Sequence, residues 1–197
     1  MAKNKHQINQ FVATLPSRLF FLFTFLFFFF FADHIFFYQE KTSLFIFSGD
    51  FLADNLNQPG GILVFLSKFL TSFYYYPITG ALISSVIIWS IVVISLEITM
   101  AITGSKKVFI PFLAGLVLFC LQLNYRYMLY NNLGILLQLI FFLLYIKYLK
   151  RFSYVFLIPL LYFISGGFTW IFCIMYSFLL LLEKPEKACS SDGKEPF

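Results

Sequence analysis

The first long apolar run of the chain constrains its fold more than any other feature. It reads LFFLFTFLFFFFFADHIFFY, from Leu19 to Tyr38, and a helix of about 20 such residues crosses a bilayer core about 30 Å thick. Composition agrees with this, because 60% of the 197 residues are hydrophobic and only 12% are charged, against about 25% charged in soluble domains. The sequence therefore predicts an all-α fold, a polytopic transmembrane helical bundle.

Further apolar segments bring the predicted bundle, residues 19–183, to about six spans. Pro77 introduces the second span, because a proline lacks only an N–H that the first helical turn does not use. The span ends at Gly104-Ser105. The stretch 152–182 is long for one helix and short for two. We favour two short spans that turn at Gly166-Gly167, with one tilted span as the alternative. The predicted spans are 19–38, 78–102, 108–124, 133–149, 152–165 and 168–182.

The distribution of Lys and Arg predicts the orientation of this bundle. With six spans, Lys41, Lys68 and Arg126 are the three basic residues on the outer side, and the other 11 of the 14 are cytoplasmic. Basic residues near span ends favour the cytoplasmic side, so both termini, 1–18 and 184–197, are predicted to be cytoplasmic. The cytoplasmic set is Lys3, Lys5, Arg18, Lys106, Lys107, Lys147, Lys150, Arg151, Lys184, Lys187 and Lys194.

Several other classes of protein are excluded. The net charge of +5 does not predict nucleic-acid binding, because the basic residues form no patch with interleaved aromatics. Three cysteines, at 120, 173 and 189, offer neither a disulfide framework nor metal-ligand spacing. Phe30 and Phe31 stand where a signal peptide would need small residues, so the first span is expected to stay uncleaved. No cofactor and no metal is predicted.

The hydrophilic outer loop, residues 39–76, carries signals for two short helices. Ser48 or Asp50 can cap the first, and Pro59-Gly60-Gly61 ends it. Residues 62–71 form the second, which is too short to cross the bilayer and is expected at the outer interface or dipping back into it. Tyr74 to Tyr76 fit an aromatic belt at the membrane boundary.

Acidic residues cluster where the first span meets this loop, and they are the catalytic candidates. Asp33 lies about 21 Å along the helix from Leu19, and Glu40 shares its face if the helix continues. Ionisable groups inside a membrane are costly, so function is the default hypothesis for them. The alternative is that the helix ends near Asp33 and exposes it to water. Asp50 is the third candidate, although capping alone would also explain it.

Two basic residues of the outer side are candidates for binding a lipid phosphate. Lys68 would act as a point charge and Arg126 as a bidentate fork. Snorkelling toward headgroups is the alternative for both. Glu97 is expected to pair with Lys106 or Lys107. The remaining polar residues of the spans are interpreted as interhelical hydrogen-bonding groups: Gln122, Asn124 and Gln138.

The stretch LFIFSGDFLADNLNQPGGILVFLSKFLTSFYYYPITGALI, Leu44 to Ile83, resembles the opening of a Bacteroidota family of multi-pass membrane proteins of unknown function, whose members are longer. The tail CSSDGKEPF would then belong to a shortened member. More distantly, the organisation is similar to the start of the GT-C glycosyltransferase module. That resemblance implies a polyprenyl-phosphate-linked sugar donor, Asp33 as the acidic residue acting on the acceptor, Glu40 and Asp50 as substitutes for it, and Lys68 and Arg126 at the lipid phosphate.

We therefore expect a bacterial inner-membrane protein that handles polyprenyl-phosphate-linked sugars or another envelope lipid at the outer face. A non-catalytic scaffold or assembly subunit is the second hypothesis, because it requires only packed helices and a structured loop. A small transporter subunit is the third, although the first span lacks a small-residue docking face. The enzyme hypothesis expects Asp33, Glu40, Asp50, Lys68 and Arg126 to share one cavity.

Overall fold

The computed structural model describes residues 2–43, 45–46, 48–104, 109–149 and 154–191. These residues form nine α-helices and no β-strand, which confirms the all-α prediction. Short 3-10 helices lie at Phe73–Tyr75 and Gly166–Phe168, and a π-helical turn at Tyr145–Leu149 extends the seventh helix. The helices are α1 (Ala2–Phe31), α2 (Asp33–Thr42), α3 (Gly49–Leu56), α4 (Gly61–Ser72), α5 (Pro77–Thr103), α6 (Phe109–Gln122), α7 (Leu129–Leu144), α8 (Tyr154–Ser165) and α9 (Thr169–Ser191).

Fewer segments than predicted have the length of a membrane span. Within the described residues, three qualify by length and composition: Pro77–Thr103, Leu129–Tyr148 and Leu157–Leu181. Pro16–Phe31 of α1 and the helix α2 are bent by 78° relative to each other, and they make a fourth if this pair counts as one span. The 14 residues of α6 extend about 21 Å, less than the bilayer core of about 30 Å. The count is three or four, and the predicted six spans are not confirmed.

The first predicted span, residues 19–38, is not one straight helix. It breaks at Ala32, whose carbonyl oxygen accepts hydrogen bonds from the N–H groups of Ile35 and Phe36 at 2.9 and 3.2 Å and so starts a new helix. The Asp33 carboxylate in the first turn of that helix favours the break, because a helix N-terminus attracts negative charge. The bend leaves Asp33 exposed, which is the alternative considered from the sequence.

Helix limits with a local signal lie where the sequence predicted them. Pro77 is in the first turn of α5, and Gly104 closes that helix in the left-handed conformation, with φ +64°. Ser48 caps α3, because its Oγ accepts a hydrogen bond from the Phe51 N–H at 3.1 Å. The second loop helix, predicted at 62–71, is α4.

Buried amides connect the helices of the bundle. Asn132 Nδ2 donates to Gln122 Oε1 at 2.8 Å, which joins α7 to α6, and Gln138 Nε2 donates to Ser165 Oγ, which joins α7 to α8. The interhelical role predicted for Gln122 and Gln138 is confirmed. The prediction for Asn124 is wrong, since its Oδ1 accepts from the backbone N–H of Arg126 in the same loop. α7 begins at Leu129, four residues before the predicted span.

The helix break predicted at the glycine pair is present. Gly166 has φ +61°, a left-handed conformation that ends α8. Residues 157–181 nevertheless count as one candidate span by length and composition, so the two short spans are not confirmed. The turn between α3 and α4 contacts the end of α8 beside this break, where the Gly60 N–H donates to the Phe163 carbonyl oxygen at 2.9 Å.

Contacts define two ends of the bundle. The α2 end comprises α2, α4, the start of α5, the loop 123–128 and the start of α7. Gln39 Nε2 ties this loop to α2 by donating to the Tyr127 carbonyl oxygen at 2.8 Å. At the Glu97 end, Lys147 Nζ lies 2.7 Å from Glu97 Oε2 and joins α7 to α5. The predicted partners of Glu97, residues 106 and 107, lie outside the described residues.

The two ends lie about one bilayer thickness apart. Twenty residues of α5 separate Pro77 from Glu97, which is about 30 Å of helix. The three basic residues predicted on the outer side, Lys41, Lys68 and Arg126, are all on elements of the α2 end. Their grouping agrees with the predicted topology, while the orientation itself stays a prediction.

Candidate functional site

A cavity of about 220 Å³ opens at the α2 end between α2, α4 and the start of α7. We call it the Lys68 cavity. The lining residues from the end of α2 are polar, those from α4 are mixed, and those from the start of α7 are mainly apolar. The residues that line it are Gln39, Thr42, Ser43, Val64, Ser67, Lys68, Thr71, Met128, Leu129 and Tyr130.

Two polar residues that line the Lys68 cavity each have a buried side-chain oxygen without a partner among the described residues. Gln39 is only 2% exposed, and its Nε2 is committed to the Tyr127 carbonyl oxygen. Its Oε1 accepts no hydrogen bond from the residues that the structure describes. The buried Ser43 Oγ also has no hydrogen-bond partner among these residues. Buried polar atoms in proteins are normally hydrogen-bonded. Gln39 Oε1 and Ser43 Oγ therefore remain able to form hydrogen bonds that no described residue supplies.

Lys68 supplies the positive charge of the cavity. It is half-buried on α4, and its Nζ lies 5.1 Å from the centroid of the Phe51 ring on α3, within the range of a cation–π contact. Ser67 and Thr71 are buried beside it, and Thr71 Oγ1 donates to the Ser67 carbonyl oxygen at 2.5 Å. None of the described residues lining the cavity is acidic. The electrostatics of the site thus favour an anion.

Asp33 lines a different cavity, of about 300 Å³, beside the first turn of α2. His34 lines it as well, with aromatic rings that include Phe36 and Tyr74, whose centroids are 4.9 Å apart in an edge-on contact. Asp33 and His34 are both exposed. Nine residues of α2, about 14 Å of helix, separate Asp33 from Thr42 in the Lys68 cavity.

The structure separates Asp33 from Lys68, two of the predicted site residues. Asp33 and Lys68 line different cavities, so the expectation of one shared cavity fails for this pair. Arg126 is exposed on the loop 123–128, with its guanidinium carbon 5.5 Å from the Tyr125 ring centroid. Glu40 is half-buried near the end of α2. The side chain of Asp50 lies outside the described part of the structure.

The sequence analysis missed the polar groups that surround Lys68. Gln39 and Ser43 are four positions apart around the end of α2, as are Ser67 and Thr71 on α4, and this spacing is typical of one helix face. That periodicity was a usable signal. An uncharged amide is a weaker functional signal than an ionisable group, and Gln39 is adjacent to the ionisable Glu40.

Tyr127 connects the loop 123–128 to both α7 and α2. Its hydroxyl donates to Asn132 Oδ1 at 3.0 Å, and its carbonyl oxygen accepts from Gln39. Burial raises the pKa of the Tyr127 hydroxyl above its ordinary value, because a charged phenolate would lose solvation. The loop 123–128 contains no acidic residue, so it places no negative charge beside the Lys68 cavity at neutral pH. Within the described residues, no three His, Cys, Asp or Glu side chains group as a metal site would require.

The fold and this site define the class of protein. Several apolar helices of span length indicate a helical membrane protein, with a cationic cavity at one end of its bundle. The family model described as a family of unknown function (DUF6057) matches residues 8–191, and the chain belongs to that family. No curated protein and no solved structure matches the chain.

Proposed function

We propose that this chain is a membrane protein that binds the phosphorylated head of a lipid in the Lys68 cavity. The observation that carries the proposal is a half-buried Lys68 in a cavity with hydroxyl groups and no described acidic lining residue. An ammonium group and hydroxyl donors are common ligands of phosphate oxygens. The apolar lining residues Val64, Met128 and Leu129 suit the first carbons of a lipid.

The location of the cavity supports a lipid as the source of the phosphate. It lies at the α2 end. The start of α5 at that end, Pro77, is 20 residues from Glu97, about 30 Å of helix, which is the thickness of a bilayer core. Exposed tyrosines occupy the same end, where Tyr75 and Tyr76 pack edge-on and Tyr38 contacts Tyr125 at 4.9 Å. Tyrosines are enriched at membrane boundaries. At about 220 Å³, the cavity is smaller than the roughly 300–1,000 Å³ of drug-sized pockets and suits a headgroup rather than a whole lipid.

The proposal assigns binding and no glycosyl transfer. The GT-C resemblance requires a carboxylate beside the lipid phosphate, whereas Asp33 and Lys68 line separate cavities. A polyprenyl-phosphate-linked sugar at the outer face of a bacterial inner membrane is one ligand of the proposed kind. In this proposal the cavity opens at the level of the headgroups, so the membrane itself can deliver such a ligand sideways.

Replacing the cavity cation tests the proposal. In Lys68→Gln the phosphate loses its charged partner, so we expect the lipid phosphorus that co-purifies with the protein in mild detergent to fall several-fold. Phosphorus analysis of the purified protein measures this. Arg126→Gln is the matched control, because it removes the same charge from an exposed residue of the same end and should leave the phosphorus content unchanged. Equal phosphorus content in Lys68→Gln and the wild type would reject the proposal and favour the non-catalytic scaffold.

A further inference from the structure

The amide of Gln39 restricts the chemistry of the headgroup. Its Nε2 donates to the Tyr127 carbonyl oxygen at 2.8 Å, which fixes the orientation of the amide. The remaining atom, Oε1, is an acceptor, and it is buried without a partner among the described residues. An acceptor held in this way is satisfied by a ligand that presents an O–H or N–H group.

The positive charge of Lys68 determines which kind of ligand donor, a hydroxyl or an ammonium, fits at Gln39 Oε1. A ligand ammonium at Gln39 Oε1 would bring a second positive charge into a cavity that already contains Lys68 and has no acidic residue among its described lining. Like charges in a partly desolvated site repel each other. A neutral hydroxyl has no such penalty. The unpartnered Ser43 Oγ then remains to donate to a phosphate oxygen.

We infer that the lipid head bound here carries a hydroxyl group beside its phosphate, as in a glycerol phosphate or a sugar phosphate. The hydroxyl donates to Gln39 Oε1, and the phosphate contacts Lys68 and Ser43. This inference rests on the proposed function and specifies its substrate class. A site built to accept a ligand hydroxyl discriminates against the analogue that lacks it, because the buried acceptor is then left unpaired.

Two phospholipids of equal charge separate the hydroxyl from the phosphate. Phosphatidylglycerol and phosphatidylethanol are both phosphodiesters with one negative charge, and only the first has headgroup hydroxyls. Binding of each to the purified wild-type protein is measured by native mass spectrometry in detergent. We expect phosphatidylglycerol to bind about tenfold more tightly, the ratio that corresponds to one buried hydrogen bond. This comparison uses the unmodified protein, so it does not depend on the folding of a variant.

Gln39→Met then tests the assigned acceptor. It keeps the size of the side chain and removes the acceptor, so the preference should fall to near unity while Lys68 still binds both lipids. Ser43→Ala is a second variant, which leaves the Gln39–Tyr127 hydrogen bond intact and should weaken both lipids equally. A preference that persists in Gln39→Met would overturn the assignment of Gln39.

The remaining outcomes distinguish this inference from the proposed function. Equal binding of the two lipids, with both weakened by Lys68→Gln, would overturn the hydroxyl inference and leave phosphate binding in place. Tighter binding of phosphatidylethanolamine would overturn it in favour of an ammonium ligand. Binding of neither anionic lipid would overturn the proposed function. Competition by free glycerol phosphate at the concentration of the lipid would show a soluble anion as the ligand and overturn the lipid assignment.

Discussion

Tyr74 shows how a single side chain combines packing and polarity at the α2 end. It is buried, its ring packs edge-on against Phe36, and its hydroxyl lies 2.8 Å from Ser84 Oγ. Burial raises the pKa of this hydroxyl, an effect that the hydrogen bond to Ser84 partly opposes. The folded protein therefore keeps Tyr74 neutral at pH values where the unfolded chain ionises it, above about 10.

The pH dependence of stability follows from this raised pKa. The contribution of the neutral, buried Tyr74 to the free energy of unfolding is complete below about pH 10. It is lost as the pH rises toward the pKa of the folded state, because the unfolded state then binds fewer protons than the folded state. Tyr74→Phe should cost about 1 kcal/mol at pH 8 through the lost hydrogen bond, and less at pH 10.5, where the wild type is penalised and the variant is not. Thermal unfolding in detergent at both values measures the difference. A stability gap that stays constant with pH would contradict this.

At the scale of elements, the turn between α3 and α4 is anchored by two glycine backbones. Gly60 has φ +80°, and a Cβ added to it would lie 3.0 Å from the Gly166 Cα and N atoms at the end of α8. The hydrogen bond from the Gly60 N–H to Phe163 is made at the same place. This junction positions the start of α4, and with it the Lys68 cavity, against α8.

Gly60→Ala should therefore destabilise the bundle. The left-handed conformation alone costs a non-glycine residue about 1–2 kcal/mol, and the crowding against Gly166 adds to it. The midpoint of thermal unfolding in detergent measures the change. Gly167→Ala is the control, since a Cβ there meets nothing within 4 Å, and it should leave the midpoint nearly unchanged. Equal effects of the two substitutions would mean that the close backbone approach is absent.

Elements with a chemical signal in their own residues could be predicted, and those fixed by distant contacts could not. Ser48, Pro77 and Gly104 marked helix limits because capping and backbone preference are local. The bend at Ala32 has no Pro or Gly to signal it. The Gln39–Tyr127 hydrogen bond joins residues 88 positions apart, so the sequence near Gln39 does not predict it. For the candidate site, Lys68 was among the residues predicted from the sequence and lines the cavity, its polar neighbours were not predicted, and Asp33 lines another cavity.

At the scale of the whole molecule, charge and helix geometry give the bundle two distinct ends. The three basic residues predicted to be outside share the α2 end, and Lys147 pairs with Glu97 at the other. From the positive-inside rule we expect the α2 end to face away from the cytoplasm. With this orientation, our proposal assigns the Lys68 cavity to the outer headgroup layer.

Cysteine labelling tests that orientation. In a background with the three native cysteines replaced by serine, Arg126→Cys should react with a membrane-impermeant maleimide in intact spheroplasts. Tyr148→Cys, which is exposed at the Glu97 end, should react only after permeabilisation. Mass-shift detection on gels reports both. Labelling of Tyr148→Cys alone in intact spheroplasts would reverse the topology.

The most direct test of the central claim is an experimental density map of the wild-type protein reconstituted with phosphatidylglycerol. We predict headgroup density between α2, α4 and the start of α7, with its phosphate at Lys68 Nζ, a hydroxyl at Gln39 Oε1, and acyl density leaving past Val64 and Met128. Water alone in the Lys68 cavity, with lipid ordered elsewhere on the protein, would contradict the claim that this chain binds a lipid head there.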